Sequence, residues 1–138
     1  MKETLISFET AKLAKEKGFN IFQDSWYNKD GEECFIEHSD YCFSDYFNFK
    51  ELDNGELITE DGIYSASTQS LLQKWLREKH NIIIIVEPYC NGSSSCKFIW
   101  NRFILNNIWF LDSFSMEKHE KYEKALEVGL YEVLKTLK

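Results

Sequence analysis

Apolar and polar positions separate most cleanly in the second half of the chain. Leu71, Leu72, Trp75 and Leu76 recur at helical spacing while Gln73, Lys74, Arg77 and Glu78 fall opposite, so STQSLLQKWLREKH predicts an amphipathic helix with Ser67 as its N-cap. The next run, NIIIIV, is too short and too β-branched for another helix. It predicts a strand over residues 82 to 86, buried on both faces or nearly so. Pro88 marks its end, CNGSSSC reads as a loop, residues 97 to 105 form a second strand, and Asn106-Asn107 is a two-residue hairpin turn into a third strand over residues 108 to 114. Tyr122, Ala125, Leu126, Gly129, Leu130, Val133, Leu134 and Leu137 then step by three and one along a final helix. Such a stripe must dock on something apolar, and the three-stranded antiparallel meander offers the matching face.

The front of the chain is less regular. A first helix over residues 8 to 17 is bounded by Ser7, which can accept from free first-turn amides, and by Gly18, which can take the left-handed position after the last turn. Turn clusters at Asn28-Lys29-Asp30-Gly31, Asp53-Asn54-Gly55 and Asp61-Gly62 divide residues 19 to 66, and Tyr41, Phe43, Phe47 and Phe49 alternate as a half-buried strand requires. The expected fold is therefore α+β: an N-terminal helix, an irregular hairpin-rich middle, then a helix, a three-stranded antiparallel meander and a C-terminal helix packed on the sheet. One domain over residues 1–138 accommodates it, with a front half of 1–66 and an α-β-β-β-α back half of 67–138.

Charge distinguishes these halves. The net charge of -7 is the sum of 15 acidic and 6 basic side chains in residues 1–66 and 8 acidic and 10 basic in residues 67–138, or -9 and +2. An acidic front half repels a phosphate backbone, which argues against nucleic acid. It is also rich in aromatics, which makes Trp26, Tyr27, Tyr41 and Tyr46 candidate contacts to a protein or a flat ligand. No leader or apolar span stands out, so a soluble, cytoplasmic protein without a membrane contact is expected.

In a reducing cytoplasm Cys34, Cys42, Cys90 and Cys96 are expected as free thiols. Cys34-x3-His38-x3-Cys42 with Cys90-x5-Cys96 holds enough soft ligands for zinc, but neither spacing is a tight zinc knuckle, so no metal or other cofactor is expected. Catalytic patterns are thin. His38, His80 and His119 stand in unrelated contexts, and no phosphate loop, G-x-S-x-G or H-E-x-x-H occurs. The reading leans away from an enzyme, with a small Cys/His-dependent hydrolase or transferase as the alternative. On the hairpin, Trp100 and Arg102 share a strand face and Trp109 lies nearby, a platform on which a flat ligand could stack.

The α-β-β-β-α order resembles the double-stranded-RNA-binding domain over residues 67–138. In the register KYEKALEVGLYEVLK, Ala125, Val128 and Gly129 keep that domain's packing side, but Tyr122, Glu123 and Leu126 stand where its motif would want lysines. The resemblance therefore implies a degenerate interaction module at most, kept as a further alternative. The segments SFETAKLAKEKGF, STQSLLQKWLREKHNI and YEKALEVGLYEVLKTL together resemble a group of small proteins encoded by Bacteroidetes bacteria, their phages and prophages. That resemblance implies a genomic context and no catalytic residues. The expectation is a non-enzymatic phage or prophage accessory binding protein, acting in counter-defence by sequestering or blocking a host protein or a nucleotide-like small molecule. The final stripe could also share a seam with a second copy, so a homodimer is kept open.

Overall fold

A computed structural model describes residues 2–21, 24–35, 49–51, 53, 57–59, 61–92, 96–106, 108–114 and 117–138. The fold is α+β, and the chain divides into two compact units, Leu5–Ser67 and Met1–Thr4 with Thr68–Lys138. The alternating positions Tyr41, Phe43 and Phe47 lie outside the described residues, as do Cys42, His38 and Tyr46.

In Leu5–Ser67, α1 spans Phe8–Glu16. It starts where the Ser7 Oγ accepts from the Thr10 amide at 3.3 Å, and its face of Thr10, Ala11 and Ala14 is buried. Gly18, at φ 95°, ends it in the left-handed region as the sequence implies. Strand β1 (Ser25–Tyr27) pairs antiparallel with β2 (Glu33–Phe35) across the Asn28-Lys29-Asp30-Gly31 turn. The Asn28 Oδ1 holds that turn by accepting from the amides of Asp30 and Glu32, each at 3.0 Å. A second pair, β3 (Phe49–Glu51) with β4 (Leu57–Thr59), brackets the Asp53 cluster, and β5 (Tyr64–Ser65) returns to the free side of β1. Ile6, Phe19, Trp26 and Ala66 are buried in this unit.

The other unit opens with α2, Gln69–His80. Its N-cap is Thr68, whose Oγ1 accepts from the Leu71 amide at 3.2 Å, and not Ser67. The Ser67 carbonyl is engaged by the Ile6 amide at 2.8 Å, and it is the Thr68 carbonyl that accepts the first helical bond, from the Leu72 amide at 3.2 Å. Helix becomes strand through one residue: Asn81 takes φ 55°, donates its amide to the Leu76 carbonyl, and hands the chain to β6 (Ile82–Tyr89).

Strands β6, β7 (Lys97–Asn106) and β8 (Ile108–Phe114) form an antiparallel sheet in that order, followed by α3 (Tyr122–Thr136). Ile82 and Ile84 are buried with Leu72, Leu76, Trp100, Ala125, Leu126, Leu130, Val133 and Leu134, so one face of the sheet carries the helices. The expectation that the isoleucine strand is buried on both faces is corrected: burial alternates, and Ile85 on the other face is 39% exposed.

Main-chain directions are set by one bridge. Phe98 exchanges both hydrogen bonds with His119, at 2.7 and 2.8 Å, on the β8 side of β7. By alternation Trp100, Arg102 and Ile104 aim their main-chain groups the same way, and their β6 partners Val86, Ile84 and Ile82, with Pro88 opposite Phe98, aim theirs outward. The amide hydrogen that Pro88 lacks thus belongs to the outer side of β6. On that side the Gln73 Nε2, from α2, donates to the Ile84 carbonyl at 3.1 Å.

Candidate functional site

Among the described aromatic positions singled out in the sequence, Trp26, Tyr27 and Trp100 have packing contacts. Trp26 is buried on β1, opposite Cys34 and Ser65. Tyr27 donates its hydroxyl to the Ile6 carbonyl at 2.8 Å, and its ring meets Phe8 edge-on at 5.8 Å. Trp100 and Arg102 do share a face, but α3 lies over it. The Trp100 ring sits beneath Gly129, and the Arg102 Nη1 donates to the Thr136 Oγ1 in the last turn of α3 at 2.8 Å, where a cation is favoured. Trp109 lies on β8 opposite Leu105. Tyr41 and Tyr46 lie outside the described residues.

The cysteine expectation is corrected. Cys90 and Cys96 form a disulfide with Cα atoms 4.5 Å apart, which removes both sulfurs from the candidate zinc set. The ladder explains the pairing: Tyr89 opposes Lys97 in the last rung, so the next residues on each strand face each other. Cys34 is a free, half-buried thiol whose Sγ donates to the Glu32 carbonyl at 3.7 Å. Among the described residues neither His80, whose ring packs on Trp75, nor His119 hydrogen-bonds to it. His119 is 6% exposed, and its Nε2 has no hydrogen-bond partner among the described residues.

The disulfide closes the far end of the β6–β7 hairpin, and aromatic and charged side chains gather around it. Tyr89, 40% exposed, carries the Lys118 ammonium over its ring at 4.0 Å. Lys97, beside Cys96, pairs with Glu120 at 3.0 Å. On the opposite face of the sheet, Tyr122, 43% exposed at the start of α3, meets Phe98 edge-on with centroids 6.1 Å apart. The sequence stripe assigns Tyr122 to the core, yet as the first helical residue it stands beyond the sheet face that Ala125 and Leu126 cover.

Beside Tyr122 a shallow cleft of about 190 Å³ lies between the first turns of α2 and α3, bordered by Lys2, Glu3, Gln69, Gln73 and Glu123. Gln69 closes its floor, donating from Nε2 to the Glu123 carbonyl and to the Glu127 carboxylate, each at 3.0 Å. Neither Tyr89 nor Lys118 was among the sequence candidates. The signal for the tip is the equal placement of the two cysteines in sequence about position 93, one residue beyond each strand. No helix among the described residues is long and apolar enough to cross a membrane. Comparison with protein-family models, with curated proteins and with solved structures finds no match to this chain.

Proposed function

We propose that this protein is a non-enzymatic recognition module whose disulfide-closed β6–β7 tip docks on a protein partner and blocks part of its surface. The observation that carries the reading is the exposed Tyr89 beside a covalently closed tip, with Lys97, Lys118 and Glu120 around it. Tyrosine offers large contact area with few rotors to freeze, and a closed ring loses less freedom on binding than an open loop. Lys97, Lys118 and Glu120 at the rim supply charges of both signs, which suit orientation more than affinity.

The resemblance to proteins encoded by phages and prophages of Bacteroidetes makes a host protein the proposed partner, counter-defence the proposed role and the cytoplasm the proposed place of action. A nucleotide-like ligand is less well supported, because among the described residues the cleft beside Tyr122 is lined by one cation, Lys2, against Glu3 and Glu123.

The test places the photo-crosslinker p-benzoylphenylalanine in place of Asn91, with a control at Lys138, and exposes the full chain to a Bacteroidetes lysate. Cross-links to one host protein from the tip, absent from the control and reduced by Tyr89→Ala, support docking. Cross-links that ignore the Tyr89 substitution sink it, and a tip cross-link to a second copy replaces a host partner with self-association.

A further inference from the structure

We infer that the Cys90–Cys96 disulfide is a thiol-addressable clamp: small thiols open it in the folded protein, release the tip, and so switch the docking surface off. The inference rests on the recognition reading for its last step only.

Both cysteines are exposed, so an incoming thiolate reaches either sulfur without unfolding the chain. The bond is also local. It spans six residues at the end of one hairpin and joins no elements that the chain does not already join. Below it the β6–β7 ladder runs unbroken from Tyr89↔Lys97 to Ile82↔Ile104, and Ile82, Ile84 and Trp100 anchor it in the core. Opening the ring therefore uncouples Cys90 from Cys96 and leaves the strands paired. The other contacts at this end among the described residues are surface ones, including Lys118 over the Tyr89 ring at 4.0 Å. Lys97–Glu120 is an ion pair between exposed side chains, which contributes weakly, and Gly92 at φ 66° has no atom near the place of a Cβ.

The chemistry is thiol–disulfide exchange with a glutathione-class monothiol as reductant. A thiolate attacks one sulfur, the sulfur–sulfur bond breaks, and the released cysteine takes a proton while a mixed disulfide forms. A second thiolate then displaces the bound thiol as a small-molecule disulfide and leaves the other cysteine protonated. Two electrons pass from two thiols to the protein disulfide, and the same steps in reverse close it. In a cytoplasm such an exposed bond is set by the thiol pool, so the docking surface follows the redox state of the cell.

The full chain, oxidised, is equilibrated with reduced glutathione and quenched with N-ethylmaleimide. Labelling of Cys90 and Cys96 is read by mass, and hydrogen exchange is followed on the same samples. Both cysteines are expected to label without denaturant, with exchange in residues 89–97 rising about tenfold while residues 100–104 and 125–134 stay unchanged. Labelling only after denaturation overturns the clamp, as does loss of protection throughout β6 and β7. The Cys90→Ser/Cys96→Ser chain should match the reduced protein. Tip cross-linking from position 91 in the lysate should fall about tenfold on reduction. Equal cross-linking in both states overturns the switch. Absence of tip cross-links in the oxidised chain overturns the recognition reading and the switch with it, while labelling and exchange still decide whether the clamp stands.

Discussion

Trp100 lies directly beneath Gly129: a Cβ on residue 129 would come within 2.9 Å of the indole and 3.2 Å of the Ile84 Cγ2. The indole is buried and rigid, so the added methyl cannot be absorbed by a flexible chain end. Gly129→Ala gains up to about 1 kcal/mol of helix propensity but is expected to lose about 1–3 kcal/mol by overpacking. A net fall in the denaturation midpoint, with a shift in tryptophan emission, is the expected result.

The turn at Asn81 makes a separate prediction. At φ 55° only residues tolerant of the left-handed region fit without strain. Asn81→Gly should be close to neutral and Asn81→Val should lower stability by about 1–2 kcal/mol, measured by urea unfolding. Equal effects of the two would show that the left-handed turn is not required.

Thr68→Ala removes the acceptor for the Leu71 amide and should lower stability by about 1 kcal/mol, with Thr68→Ser or Thr68→Asp restoring most of it. Thermal denaturation of the three variants decides this.

Asn101 is 7% exposed and donates from Nδ2 to the Glu87 carboxylate at 2.9 Å, on the sheet face away from α3. Asn101→Ala should cost about 1–3 kcal/mol, and adding Glu87→Ala should cost less than the sum of the two single changes, because the pair acts as one unit. Additive losses in a double-mutant cycle would refute the coupling.

Proteolysis of the oxidised protein without reductant should yield residues 90–96 as a ring, lighter by two hydrogens than the reduced peptide. Cys34 should be alkylated in the native state in proportion to its partial exposure. A free Cys90 in protein prepared under oxidising conditions would contradict the pairing.

Elements governed by local periodicity are legible in the amino-acid pattern. The helices starting at Phe8, Gln69 and Tyr122 and the three strands of the meander follow from spacing, because burial on one face imposes that spacing. Features that depend on contacts far apart in the chain leave no such mark. Ser67 and Thr68 are equivalent caps by residue type, and the bond from the distant Ile6 amide to the Ser67 carbonyl is not written in the local sequence. The isoleucine run gives no clue to one-sided burial, since helices on one face or two suit it equally. Trp100 as a platform and Trp100 as core have the same local sequence, and the missing side chain at Gly129 is the one hint that a bulky ring lies below. For Cys90 and Cys96 two signals conflict: a reducing compartment favours thiols, whereas symmetric placement about a hairpin favours a bond, and the geometry of the ladder prevails.

The Gln73–Ile84 contact also sets the strand's register. Ile82 to Ile85 are the same residue and Val86 is also β-branched, so a strand slipped by two residues could still set Ile84 and Val86 where Ile82 and Ile84 meet the core. Gln73 breaks that degeneracy by selecting one carbonyl of the four, and it does so from a helix joined to the strand by a single residue. The helix thus acts as a ruler for the strand it precedes, and shortening or lengthening the joint by one residue would leave the same isoleucines with no mark to stop at.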